Sequence, residues 1–293
     1  MKPLKKIKKL YHNLNIKIAH TRGLSLIRKE VKELLRVNLF KTLYFNFTIF
    51  PFRDAIYLPV WLYGRIKLGT LEGRIIIEGK KRHRVICIGK TTDYFGYRYI
   101  SSINIHKGGR WLLKGPFFSS QGTNIEIFGT LITGANCALG TGVNLRCLQE
   151  IHIGEGSDIT LDCQVFDTNF HFLQDIKTGK ISRMTEKIRI GDFCWIGNRT
   201  TISKGTNLPD YTIVCSNSLI NKDYTELSGK HALIGGIPAK FIAEGLHRIY
   251  SDKIEQKISK QFQENQQSFI IEDIIPYNKL SDSEERAKHV SDF

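Results

Sequence analysis

The chain lacks any run of about 18 uninterrupted apolar residues, so no segment reads as a transmembrane helix. The opening MKPLKKIKKLYHNLNIKIAH has no apolar stretch long enough for a secretory signal either, and a cytoplasmic protein is expected. Its six cysteines, Cys87, Cys137, Cys147, Cys163, Cys194 and Cys215, form no CxxC pair. That spacing offers neither a zinc site nor a disulfide framework and fits free thiols in a reducing compartment. Zinc-finger spacing, an aromatic RNA-binding signature and a basic helix with heptads are also missing, so nucleic acid is not an expected partner.

Positive charge is in excess, with 43 Lys and Arg against 28 Asp and Glu. Such a balance attracts anions: phosphorylated ligands, or a membrane surface. Lys2, Lys5, Lys6, Lys8 and Lys9 crowd the start, and Lys80, Lys81, Arg82 and Arg84 form a second cluster. In residues 1 to about 36, apolar residues recur every three to four positions, a pattern of amphipathic helices broken near Thr21 to Gly23. An aromatic stretch follows, interrupted by Pro51 and Pro59, which is expected to pack on the domain or lie on a membrane surface. From Gly64 onward helix signals vanish.

What replaces them is a repeat. Ile190, Ile196, Ile202, Leu208, Val214 and Ile220 fall six residues apart, and small residues Cys194, Thr200, Thr206, Thr212 and Ser218 follow four positions after the first five. Earlier come Ile125, Leu131, Cys137 and Val143, then, after a phase change, Ile153, Ile159 and Val165. A period of six fits neither a helix nor a half-buried hairpin; it predicts short strands wrapped into a three-faced coil, with the apolar residue inside and the small one at a crowded turn. The expected organisation is a helical and aromatic segment over 1–63, a β-helix over 64–245 interrupted by a loop at 166–187, and a charged helical tail over 246–293.

The stretches IRIGDFCWIGNRTTISKG (188–205), GGIPAK (235–240) and VFDTNFHFLQD (165–175) resemble the hexapeptide-repeat acyltransferases, in particular bacterial sugar and polysaccharide O-acetyltransferases. The resemblance covers about residues 125 to 245, and Asn207-Leu208-Pro209 departs from the family pattern. It implies a left-handed parallel β-helix with three hexapeptides per coil, a homotrimer with sites between neighbouring subunits, acetyl-CoA as co-substrate, no metal, and a saccharide acceptor.

The loop is where a rigid solenoid holds its chemistry. A sugar hydroxyl needs a base before it attacks a thioester, and an imidazole near its ordinary pKa of about 6.5 suits that task. His171 is the expected base. Asp167 either orients that imidazole or contacts the acceptor, or else only forms a turn. Trp195 either packs against the pantetheine arm or the acceptor, or only covers a subunit seam. Lys222 and Lys240 match the family's cofactor end, where Gly235, Gly236 and Ala239 leave room for close backbone approach; Arg199 and Lys204 are weaker candidates. Three further readings stay open: N-acetylation of an amino sugar nucleotide, a zinc β-helix enzyme that would need three grouped histidines, and a scaffold without catalysis.

Overall fold

The computed structural model describes residues 34–79, 82–90, 99–250 and 252–264, so the expected helices before residue 34 and the lysines of the first ten positions lie outside the described residues, as do Lys80, Lys81 and most of the C-terminal tail. Two compact units divide the chain, Met1–Val37 and Asn38–Phe293. The helix Leu39–Ile49, part of the expected segment 1–63, falls in the larger unit.

That unit is a β-helix. Its coil strands fall into three sheets, parallel but for the final strand of the first, in which each inner strand pairs with the strand one coil before it and one coil after it. The nine-stranded sheet forms the first face, the seven-stranded sheet the second and the six-stranded sheet the third. Inward-facing residues stack in columns: Ile125, Leu145, Val165, Ile202 and Ile220 lie in register on the second face, all essentially inaccessible. Burying each such side chain stabilises the coil by about 1.5–3 kcal/mol. The six-residue series from Ile190 to Ile220 is buried throughout, as expected.

The small residues at the corners have a second reason to be there. Thr206, Thr212 and Ser218 donate their hydroxyls to the carbonyls of Ser203, Pro209 and Cys215, each at 2.7 Å. Each corner hydroxyl thus gives the carbonyl three positions back a hydrogen bond within the turn.

The expectation of three hexapeptides per coil holds for only part of the molecule. Arg189 aligns with Asn207 and Thr201 with Leu219, a coil of 18 residues. Farther toward the N-terminus Ile125 aligns with Leu145 and Leu145 with Val165, coils of 20. The phase change between Val143 and Ile153 is therefore no isolated irregularity.

Both ends of the solenoid are closed. At the N-terminal end the strand Val60–Leu62 would present free backbone groups, and the helix Leu39–Ile49 takes them up. Val60 N–H donates to Asn46 Oδ1 and Leu62 N–H to Thr42 Oγ1, both at 3.1 Å, while Asn46 Nδ2 donates to Val60 O at 2.7 Å. Thr42 and Asn46 are one helical turn apart, so both reach the same edge. Such an edge left bare would invite pairing with another chain. The opposite side of this helix, with Leu39, Phe40 and Tyr44, is exposed. At the other end, Leu233–Gly236 pairs antiparallel with Ala239–Ala243 and ends the first face.

Candidate active site

Between the second and third faces the coil opens at Phe166 and closes at Ile188. The expected loop is an antiparallel arm: Thr168 bridges Thr185, and Leu173–Gln174 pairs with Ile181–Ser182. Asp175 turns its tip by accepting the N–H groups of Lys177 and Thr178 at 2.9 and 2.8 Å. Lys204 Nζ donates to the carbonyl of Arg183 at 2.5 Å, which ties the arm to the following coil and gives this lysine a structural task.

His171 sits near the base of the arm. Phe170, held at a positive φ of 62°, donates its N–H to the Thr168 hydroxyl oxygen at 2.9 Å, and this sharp turn throws the next residue outward. The His171 side chain is exposed and makes no hydrogen bond to any described residue. Around it the arm presents apolar side chains to solvent: Phe172 is 69% exposed and Ile176 97%.

Asp167 does not reach for the histidine. It is fully buried, and its carboxylate accepts the N–H groups of Leu148 (2.8 Å), Gln149 (2.7 Å) and Glu150 (2.9 Å). Those three amides form the corner of the preceding coil. Of the roles left open for Asp167, these contacts are those of the structural one: its carboxylate anchors the root of the arm. Burial raises its pKa above the usual carboxylate range, against the pull of the three amides.

The expected cofactor residues lie elsewhere on the prism. Trp195 is on the outside of the first face, 38% exposed, with the Arg248 guanidinium 5.1 Å above its ring and Asp158 paired to that guanidinium. Lys240 is exposed in the last strand of the same face. Lys222 follows the last strand of the second face, near the corner from which the arm leaves two coils earlier, and its ammonium lies 5.1 Å over the Tyr224 ring. Ala239 is buried and its carbonyl accepts the Tyr224 hydroxyl at 3.2 Å, so it packs the hairpin. A Cβ at Gly235 would come within 2.7 Å of the Cys215 Cβ, and Gly236 has a φ of 102°. Gly235 is therefore explained by the close approach of Cys215 in the coil before it, and Gly236 by the hairpin turn. The first face is opposite the corner that carries His171, so a single subunit does not bring the histidine and the Trp195–Lys240 face together.

Among the described residues no group of three His, Cys, Asp or Glu is arranged to hold a metal ion. The buried thiols are held protonated; burial pushes Cys194 up to about 12.

The chain carries a hexapeptide-repeat β-helix. No family model matches it. Solved structures that align with it include a polysialic-acid-specific acetyltransferase, NeuO, at 14% identity and a TM-score of 0.40, over 69% of this chain and 99% of that one. The polysialic acid O-acetyltransferase OatWY aligns at 18% identity and a TM-score of 0.37, over 67% of this chain and 99% of its own. A variant of the Bacillus cereus N-acyltransferase AntD, in complex with dTDP-4-amino-4,6-dideoxyglucose and coenzyme A, aligns at 11% and 0.37, over 69% and 88%.

Proposed function

We propose that this protein is an acyltransferase that moves an acetyl group from acetyl-CoA to a sugar hydroxyl, with His171 as general base. The observation that carries the reading is an uncommitted, exposed imidazole on an arm at the corner where the coil is interrupted. In the step proposed, His171 takes the hydroxyl proton while the oxygen attacks the thioester carbonyl. Collapse of the tetrahedral intermediate breaks the carbon–sulfur bond, and the departing thiolate recovers the proton from the imidazolium. A backbone N–H of a coil turn is the expected donor to the oxyanion. Lys222 and Lys240, both exposed cations, suit the phosphates of coenzyme A.

The separation of His171 from Trp195 and Lys240, together with the exposed apolar arm, supports a site completed by a second copy of the chain, as in the trimer that the motif resemblance implies. Incubating the full chain with acetyl-CoA and a panel of sugars, and following free thiol, tests the whole reading. His171→Ala should lower turnover by about 100-fold or more with little change in acetyl-CoA affinity. Near-normal turnover in that variant would sink the mechanism, and sedimentation as a monomer would sink the shared site.

The exposed apolar side of the Leu39–Ile49 helix, combined with the lysine-rich start of the chain, supports peripheral attachment to an anionic membrane. Among the described residues no helix is long and apolar enough to cross one. Failure of the full chain to sediment with anionic liposomes at low salt would leave this helix as an end cap alone.

A further inference from the structure

The outside of the second face carries two ordered columns of side chains, set by successive coils of 22 and 20 residues. In the first, Ser102, Asn124 and Asn144 stand in register. Ser102 Oγ donates to Asn124 Oδ1 and Asn124 Nδ2 to Asn144 Oδ1, each at 2.7 Å, and Asn144 Nδ2 donates to the Gly142 carbonyl at 3.2 Å. In the second, Glu126, Arg146 and Phe166 stand in register. Arg146 Nε pairs with Glu126 Oε2 at 2.6 Å, and its guanidinium lies 5.4 Å over the Phe170 ring, which in turn meets the Phe166 ring edge-on at 5.6 Å. Together they line a groove of about 410 Å³.

The chemistry of this lining is specific. An amide side chain has two N–H donors and two acceptor positions. In the ladder Asn124 and Asn144 each spend one donor and one acceptor, which leaves each with one of both to offer. Successive coils repeat this offer at about 4.8 Å, a spacing comparable to the length of a pyranose ring. Phe170 and Phe166 add apolar surface, of the kind that packs against the C–H face of a sugar. The charged groups of the lining, Glu126 and Arg146, neutralise each other, so recognition falls to hydroxyl-seeking groups rather than to net charge. An added peptide strand would need a free sheet edge. The strands here are central, paired on both sides.

We propose that this groove binds a hydroxyl-rich saccharide chain and feeds it toward His171, the residue next to Phe170, so that the protein prefers an oligosaccharide to a single sugar. The direction of feeding rests on the acyltransferase reading; binding itself does not. The full-length protein is titrated calorimetrically with maltohexaose, cellohexaose, chitohexaose and hexagalacturonate, with the matching single sugars, and separately with acetyl-CoA. At least one hexasaccharide should bind about tenfold or more tighter than its single sugar. Asn144→Ala and Phe170→Ser should each weaken it about tenfold, the worth of one or two lost contacts. Phe170 lies on the exposed arm and outside the buried core, and an unchanged urea midpoint in the variant separates lost binding from lost folding. Binding of none of the four hexasaccharides, or variants that bind as tightly as the parent, overturns the groove. If a hexasaccharide binds and acetyl-CoA does not, the groove stands and the acyltransferase reading falls. If acetyl-CoA acetylates single sugars and no hexasaccharide binds, the enzyme stands without the groove.

Discussion

The coils that run from Ile125 to Val165 and those that follow Ile188 use the same stacking, yet differ by two residues per coil. The inward column runs from Leu145 to Ile153 in eight residues, whereas the equivalent step in the C-terminal half, from Ile202 to Leu208, takes six. The other corners match. The added length lies at the corner between the second and third faces, and the arm with His171 leaves from that same corner. A solenoid tolerates length where a turn can bulge without disturbing the column beneath it.

The wider coils have four-residue strands such as Asn124–Ile127 and Asn144–Cys147, whereas the narrow ones have two or three. They also enclose larger side chains. Trp111 and Phe117 are buried in the wide half and meet edge-on at 4.9 Å, while the inward series of the narrow half from Ile190 to Ile220 holds only isoleucine, leucine and valine, and a buried aromatic, Tyr224, comes only after it.

The largest effect expected from this difference follows Trp111→Ala. The variant loses a full aromatic side chain and leaves Thr133 Oγ1 without the indole N–H that it accepts at 3.1 Å. A loss of about 3–5 kcal/mol is expected, read from the urea midpoint at constant slope. A loss below about 1 kcal/mol would mean that the wide coil collapses onto the hole, and that its width does not depend on the residues inside. Next comes Asp167→Ala, which deprives three amides of one acceptor. It should cost about 1–3 kcal/mol and raise hydrogen exchange at Leu148 to Glu150 and in the arm, with the coils after Ile188 unaffected. Uniform acceleration through both halves would contradict the anchoring role.

The period of six was legible because the narrow half repeats it without a slip. The period of 20 was equally present, in Asn124, Asn144 and Gln164 and in Glu126, Arg146 and Phe166, but these are outward positions, where a search for buried apolar residues does not look. Ile125, Leu131, Cys137 and Val143 are all buried, as expected, yet the coil closes on Leu145, two residues after Val143. His171 stood out as a histidine in a break of the repeat. The bonds of Asp167 could not be read, since its partners lie a full coil earlier in the chain, and the packing of Arg248 over Trp195 joins residues more than fifty positions apart.

The smallest expected effect concerns acid, and it should separate the halves again. Against the narrow coils Phe193 stacks on Tyr211 at 5.2 Å and Tyr211 on His231 at 4.8 Å, with His247 6.3 Å from both Tyr211 and His231. Burial, then the neighbouring His231, lowers the pKa of His247. A histidine whose folded pKa is depressed favours the neutral form, so between that value and about 6.5 the unfolded chain binds more protons. The stability it contributes is complete above about pH 6.5 and is lost as pH falls through the folded value. Asp167 has the opposite sign: its raised pKa contributes stability that is complete at low pH and is lost as pH rises through the folded value. Between pH 7 and pH 5 the aromatic stack should therefore weaken while the root of the arm holds. Hydrogen exchange at the two pH values, corrected for its intrinsic pH dependence, should show protection falling first around Phe193 and Tyr211, and His247→Gln should remove part of that fall. Equal loss in both halves, or a His247→Gln protein with an unchanged acid response, would place the acid sensitivity somewhere other than this stack.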